Sequence, residues 1–461
     1  MIKSIVAAIL IWPALPLHAQ QYPPNTLGNI WLQAEANYPA VTAQSALVEA
    51  AEFNEKSTFQ NKLPKVNAQL QNTYGNFKGS TGGFFSEPGV FNISGNAGAN
   101  NGQTHPIAMA SSNFASTTLD WTLYSFKNIQ TEIKVAHLET QAAKNQFQGY
   151  LLELKQQVSN KYIQLLYDNA LYDWATANVQ RLTEIQSIAA SLSAAGIKPA
   201  ADSLLSAAAL LQAKGSSDKW RGQKKAALIN LQALIGEQSI DYKASSQRFI
   251  KPESIGRFTN TQIPSTHPSL QSLQQRADDY RLLAQLEKNK ALPSLKLLAG
   301  YSLRSSAIQA DGTYTNNWTD GFNNKAGNFL AGLAVTWNIT NIATNRTKQN
   351  IYLKKASSKK ESLAANLIAL KASLAATNGQ IEESLQEVQK YNQAVSQATK
   401  AYGMYLARYK SGLISLSELL QISQLLEEAQ QIQMGALLHY WQLQTKKSVL
   451  TDDFSALFTH L

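Results

Sequence analysis

The chain has 461 residues, no cysteine, and 41 Lys and Arg against 31 Asp and Glu, a formal net charge of +10. The missing cysteines exclude disulfides, thiolate metal sites, cysteine nucleophiles and a lipid anchored on an N-terminal Cys. The positive excess is modest for this length and spread along helical segments, as at Lys354, Lys355, Lys359 and Lys360, which reads as solvated helix face and not as a nucleic-acid surface.

In chain order, residues 1–19 read as a secretory signal. Lys3 gives the positive start, Ile5 to Leu17 an apolar run broken by Pro13 and Pro16, and Leu17-His18-Ala19 a small-residue cleavage site. The apolar run, about 13 residues, is too short to cross roughly 30 Å of hydrocarbon as a helix, so the mature chain is expected from Gln20. No later segment stays apolar for about 18 residues, so a membrane-spanning part would have to be a closed barrel of strands.

A first helix is expected over 26–61, capped by Asn25 or Thr26 and stopped at Leu63-Pro64. From Lys65 the period changes to two: Val66, Ala68, Leu70 and Tyr74 alternate with Lys65, Asn67, Gln69, Gln71 and Thr73, a strand with one apolar face. A Gly/Asn/Ser-rich stretch, 76–112, reads as a long polar loop. A second strand over 114–124 places Leu119, Trp121 and Leu123 opposite Thr118, Asp120 and Thr122. Ser125 stands where a helix N-cap belongs. About 70 residues of helical pattern follow, on the order of 100 Å of helix. Leu151, Leu154, Val158, Tyr162, Leu165, Tyr172, Val179, Leu182 and Ile185 form its apolar seam. Gly196-Ile197 is the turn, and a return helix is expected over 200–236.

After a Pro-rich irregular link, the pattern repeats. Leu292-Pro293 precedes a strand with Leu295, Leu297, Ala299 and Tyr301 on its apolar face. A polar loop covers 303–327. A strand over 329–339 then alternates Phe329, Ala331, Leu333, Val335, Trp337 and Ile339 with small or polar residues. Asn341 is the second expected N-cap. The second long helix carries a coiled-coil seam at Leu363, Leu367, Leu370, Leu374, Ile381, Leu385, Val388, Tyr391, Val395, Ala398, Tyr402, Tyr405 and Tyr409. Gly412-Leu413 turns it into a return helix over 415–450. Trp121 and Trp337, Gly196 and Gly412, and the acids Asp202 and Glu418 all share one offset (337 − 121 = 216). This internal duplication organises the chain as 1–19 signal, 20–245 first repeat, 246–265 linker and 266–461 second repeat with the C-terminal tail.

Strands of about 9 to 11 residues with an apolar face and terminal aromatics fit an outer-membrane barrel wall, and an ordinary half-buried sheet alternates in the same way. Four strands cannot close a barrel, whereas three copies supply twelve. Long strand-to-strand loops would then face outside and the helices would reach into the periplasm. Trp121 and Trp337 suit either an interfacial belt or packing at the strand–helix junction. Gly196 and Gly412 suit positive-φ helix ends. Asp202 suits the first turn of a helix. Arg408 and Tyr409 suit interhelical packing. The histidines His105, His137, His267, His439 and His460 show no ligand spacing, and no catalytic, cofactor or metal motif is present.

The chain resembles the TolC family of outer-membrane efflux proteins over essentially all of its expected mature length. The most specific segment is Ala407-Arg408-Tyr409-Lys410-Ser411-Gly412-Leu413-Ile414-Ser415-Leu416-Ser417-Glu418-Leu419-Leu420, supported by Val335-Thr336-Trp337-Asn338-Ile339 with Asn341 and by the weaker copy Ala195-Gly196-Ile197 with Asp202-Ser203-Leu204-Leu205. The resemblance implies an α+β membrane protein: a homotrimer with long antiparallel helical hairpins in a coiled-coil α-barrel. Four strands per protomer would enter a shared 12-stranded barrel in outer-membrane lipid. It implies a passive exit duct for efflux or type I secretion, joined to a periplasmic membrane-fusion adaptor and an inner-membrane pump. It also implies that Gly196, Ile197, Gly412 and Leu413 form the tip that meets the adaptor, and that Glu418 lines the tunnel entrance. Gln421 stands where relatives often carry a second acid, and Pro199 makes the two tips unequal. The rival reading is a periplasmic structural or binding coiled-coil protein whose sheets pack on its own helices; a secreted hydrolase lacks a catalytic site. No feature of the sequence names the cargo.

Overall fold

The computed structural model describes residues 26–76, 83–87, 90–93, 109–236, 243–252, 262–308, 315 and 317–461. The expected signal, Asn25 and His105 lie outside these residues. The elements are α1 (Leu27–Asn37), α2 (Pro39–Gln60), β1 (Lys65–Asn76), β2 (Gly83–Glu87), β3 (Val90–Ile93), β4 (Met109–Tyr124), α3 (Asn128–Ala194), α4 (Ala200–Ile235), α5 (Lys243–Ile250), α6 (Pro268–Lys290), β5 (Ser294–Ser306), β6 (Ala326–Thr336), α7 (Asn341–Lys410), α8 (Leu416–Thr451) and α9 (Ser455–His460), with a 3₁₀ turn at Trp318–Phe322. They form two compact units, each drawing on both expected repeats: Met1–Ala46 with Gln146–Gln271 and Ala364–Leu461, and Leu47–Asn145 with Ser272–Leu363.

Several expectations need correction. The first helix is two, because Pro39 drives Tyr38 out of helical geometry to ψ 115°. Thr26 holds the N-cap position of α1 without a side-chain cap bond. Part of the expected 76–112 loop pairs as the β2–β3 hairpin, and β4 begins at Met109. The expected 303–327 loop loses its start to β5 and its end to β6, and carries the 3₁₀ turn. β6 runs from Ala326 to Thr336, so Trp337 and Ile339 lie beyond it. The expected irregular linker, 246–265, opens inside α5 (Lys243–Ile250), whose Phe249 is fully buried. α3 begins at Asn128, three residues after the expected cap Ser125, and Asn341 is itself the first residue of α7. Phe126 and Lys127 take positive φ between β4 and α3, and Ser125 Oγ accepts the Ile129 N–H at 3.2 Å. In the second repeat Asn338 Oδ1 accepts from Asn341 N (3.3 Å) and Thr340 Oγ1 (2.7 Å), so the cap lies three residues earlier than expected.

The first unit is helical. Trp31 of α1, Tyr162, Leu165 and Leu166 of α3, Phe249 of α5, Trp441 of α8 and Phe458 of α9 meet in one core. A second cluster joins Leu182 and Ile185 of α3 to Tyr402 and Tyr409 of α7 and Leu416 and Leu419 of α8. The α7 seam lies as the heptads require: Leu374, Val388, Ala398, Tyr402 and Tyr409 are buried and the remaining seam positions half-buried. Thr377 and Ser384 interrupt it with buried hydroxyls that find no partner among the described residues.

The second unit holds the sheet, in the antiparallel order β1-β4-β5-β6. Its helices are held by polar contacts: Thr140 Oγ1 donates to Ala51 O (3.2 Å), Lys144 pairs with Glu52 (2.9 Å), and Asn289 Nδ2 donates to Thr131 Oγ1 (2.8 Å). Asp279 of α6 has its pKa pushed up to about 6, first by burial and then by Glu139 and Asp278.

Candidate functional site

Cross-strand neighbours lie on the same side of a sheet, so the register fixes which residues share a face. Val66↔Leu119↔Ala299↔Ala331 and Ala68↔Thr117↔Tyr301↔Phe329 belong to one face, and Trp121↔Leu297↔Leu333 continues it. Lys65↔Asp120↔Leu298↔Gly332 and Gln69↔Ser116↔Ser302↔Asn328 belong to the other. The four alternations expected from sequence thus coincide in one apolar face. That face is exposed: Leu70 is 82% accessible, Phe329 74% and Leu333 68%. A continuous exposed apolar face of this kind calls for a nonaqueous or protein partner.

At the far end of β4 the same face turns polar. Asn113 Nδ2 donates to Gly321 O (2.9 Å), and Asn72 Nδ2 donates to Asn113 Oδ1 (2.8 Å). A side chain at Gly321 would overlap Ser111, so glycine lets the 3₁₀ turn lie against the strand. Trp318 and Phe322 of that turn meet edge-on and are exposed. At the opposite end, the Trp121 indole N–H donates to Lys62 O and that of Trp337 to Ala291 O, each at 2.9 Å. Each tryptophan therefore ties a strand end to the residues just after a helix, while its ring stays partly exposed. The 3₁₀ aromatics were missed in sequence because they sat in a polar stretch without periodicity.

The two Gly turns have the same construction. Gly196 (φ 71°) and Gly412 (φ 76°) end α3 and α7, with Ile197 N–H donating to Leu192 O and Leu413 N–H to Arg408 O, both at 2.9 Å. These are Schellman closures, which need a left-handed residue where only glycine is unstrained. Ile197 and Leu413 project exposed from the turns. The turns also meet: Lys198 Nζ donates to Ile414 O (3.1 Å) and lies over the Tyr409 ring. Lys410 pairs with Glu184 (2.7 Å), Asn178 Nδ2 donates to Glu427 (3.1 Å) and Arg181 to Gln430 (3.2 Å). These cross-hairpin partners were not foreseen, since nothing local marks residues that meet across more than 200 positions. Tyr409 is buried, and burial first, then Asp202, raises its phenol pKa. Arg408 lies over Tyr405, and Asp202 sits in the first turn of α4.

Glu418 is exposed and closes a capping box on α8. Its Oε2 accepts from Ser415 N (2.7 Å) and Ser415 Oγ (2.9 Å), and its own N–H donates to Ser415 Oγ (3.2 Å). The bonds from Ser415, backbone first, hold its carboxyl below the usual range, with Arg408 and Lys198 adding to the shift. A local helix-start role thus accounts for the acid at this position, and Gln421 one turn on is exposed and neutral.

Among the described residues no cluster of His, Asp or Glu could hold a metal, and no helix is long and apolar enough to cross a membrane. Residues 31–237 and 261–445 match the family model described as outer membrane efflux protein. The chain belongs to this family. It is an outer-membrane efflux channel, a passive exit duct and not an enzyme. Its fold is also that of solved channels of low identity. CusC is 13% identical, with a TM-score of 0.72 over 93% of this chain and 92% of that one. VceC of Vibrio cholerae is 14% identical, with 0.68 over 93% and 97%. CmeC of Campylobacter jejuni is 13% identical, with 0.69 over 92% and 85%. No curated protein matches the chain. Channels of this family form trimers and work with adaptor and pump partners.

Proposed function

We propose that three copies of this efflux channel close one 12-stranded barrel in the outer membrane, with the helical part in the periplasm as a shared α-barrel. One observation carries the reading: a sheet with an exposed apolar face, a polar opposite face, and edge strands β1 and β6 that each have one neighbour among the described strands. Such edges are not viable in lipid, and a head-to-tail ring removes them. The expected signal over 1–19, the repeats 20–245 and 266–461 and the linker 246–265 fit an exported, unlipidated, duplicated protomer. In this reading Trp121 and Trp337 lie at the periplasmic membrane interface, and outer-membrane lipid covers the apolar face. Purified from outer membranes in mild detergent, the protein is expected to give three copies per particle by light scattering. A monomer that stays dispersed without detergent would overturn the reading.

Gly196, Ile197, Gly412 and Leu413 are assigned to the tip that meets a periplasmic membrane-fusion adaptor, which links the duct to an inner-membrane pump. The exposed Ile197 and Leu413 supply apolar contact that the turns themselves do not use. Glu418 is assigned to the entrance, where three copies would gather negative charge and attract cations. Glutamine also serves in a capping box, so Glu418→Gln removes the charge and keeps the helix start. Its helix content and thermal stability are expected to match the unmodified protein, while block of the channel by di- and trivalent cations weakens. Equal block in both proteins would remove Glu418 from the entrance.

A further inference from the structure

All the charge of the four-stranded sheet lies on one face, and it is uneven. Lys65 and Asp120 are cross-strand partners, and Lys296 reaches the same acid, Nζ to Oδ2, at 3.0 Å. That ion pair engages the single acid this face carries among the described residues. Lys65 beside it is exposed. Further along β5 and on the same face, Arg304 stands opposite Phe114 and lies 5.8 Å over its ring. Stacking on an aromatic leaves a guanidinium fully charged. Among the described residues of the sheet, each copy therefore places three basic side chains, Lys65, Lys296 and Arg304, and one acid, Asp120, on this face. The apolar face carries no charged residue among those described.

We propose that this face is an anion-favouring lining of the duct, with Lys65 and Arg304 as its specificity-determining residues. Small anions and anionic cargo would pass the sheet-lined segment in preference to cations. The inference rests on the exit-duct reading and names the charge class that the outer segment prefers. The physical basis is that a low-dielectric wall with fixed charge of one sign concentrates counter-ions in the water it encloses. Glu418 would act in the opposite sense, so the lining is to be read with that charge removed.

The test is ion selectivity of the full-length Glu418→Gln protein in planar bilayers under a KCl gradient. Chloride is expected to permeate better than potassium at low salt. Adding Lys65→Gln and Arg304→Gln is expected to lower the chloride-to-potassium permeability ratio by about twofold or more. The difference should shrink at 1 M salt, where the screening length is about 3 Å. Arg304→Lys, which keeps the charge, is expected to keep the ratio and so separates charge from folding. A potassium preference in the Glu418→Gln protein would overturn the inference. So would an unchanged ratio when both charges are removed and conductance steps persist. Absence of any conductance step in the unmodified protein would reject the duct reading and this inference with it.

Discussion

Leu333→Arg is expected to abolish outer-membrane assembly, while Leu330→Arg, three residues away on the same strand, leaves it intact. Both leucines are large and exposed, at 68% and 79%, so neither hydrophobicity nor accessibility separates them. The register does. Leu333 pairs with Leu297 on the apolar face, midway between Phe329 and Trp337. Leu330 pairs with Gly300 on the polar face. An arginine facing lipid near the middle of a barrel wall costs about 2–4 kcal/mol. Three copies make that roughly 6–12 kcal/mol per barrel, comparable to the whole stability of a typical folded domain. The same arginine on the inner face stays hydrated. The measurement is the amount of oligomer in washed outer membranes for each variant. Loss with Leu330→Arg alone would show that the faces are assigned the wrong way round, and equal assembly would show that the Leu333 face does not meet lipid.

Trp441→Ala is expected to cost about 3–5 kcal/mol, the range for truncating a large aromatic in a core. Trp441 is 0% exposed, stacks on Phe249 and on His460, and donates its indole N–H to Phe249 O at 3.0 Å. Alanine leaves a cavity and an unpaired buried carbonyl together. The damage should be directional, because Trp441 is what holds α5 against α8. Trypsin is therefore expected to cut faster after Arg248, alongside a lowered melting temperature by circular dichroism. Trp441→Phe, which keeps most of the packing, should fall between. If melting drops while cleavage at the linker does not change, α5 is held by other contacts.

The sequence made the periodic parts of this fold readable. Strict alternation at Phe329 to Val335 could have only one pairing that buries or exposes a whole face together, and the coiled-coil seam on α7 recurs too regularly for another use. The glycine turns were readable because a left-handed helix end tolerates little else. Elements without a period were not. The β2–β3 hairpin sits in a Gly/Asn/Ser-rich stretch that has turn composition throughout. α5 hides among prolines and is helical because Phe249 has a core to enter. Pro39 sits inside a long apolar pattern, where one proline does not announce whether it kinks or divides a helix. At the turns, Gly412 and Glu418 could be located in sequence. The capping role of Glu418 was written there too, as Ser415 three residues before an acid, but the contact of Lys198 with Ile414 was not.

The order β1-β4-β5-β6 has a further implication for how copies could meet. β4 and β5 are the last strand of one half and the first strand of the next, and they already join edge to edge. A ring would ask β6 to meet β1 of a neighbour, which is the same junction transposed by one repeat. If that junction keeps the register of Thr118↔Gly300, Ala334 would stand opposite Gln71 of a neighbouring copy, both on the polar side. In the proposed ring, the seam between copies would therefore be one the chain already forms within itself, between β4 and β5.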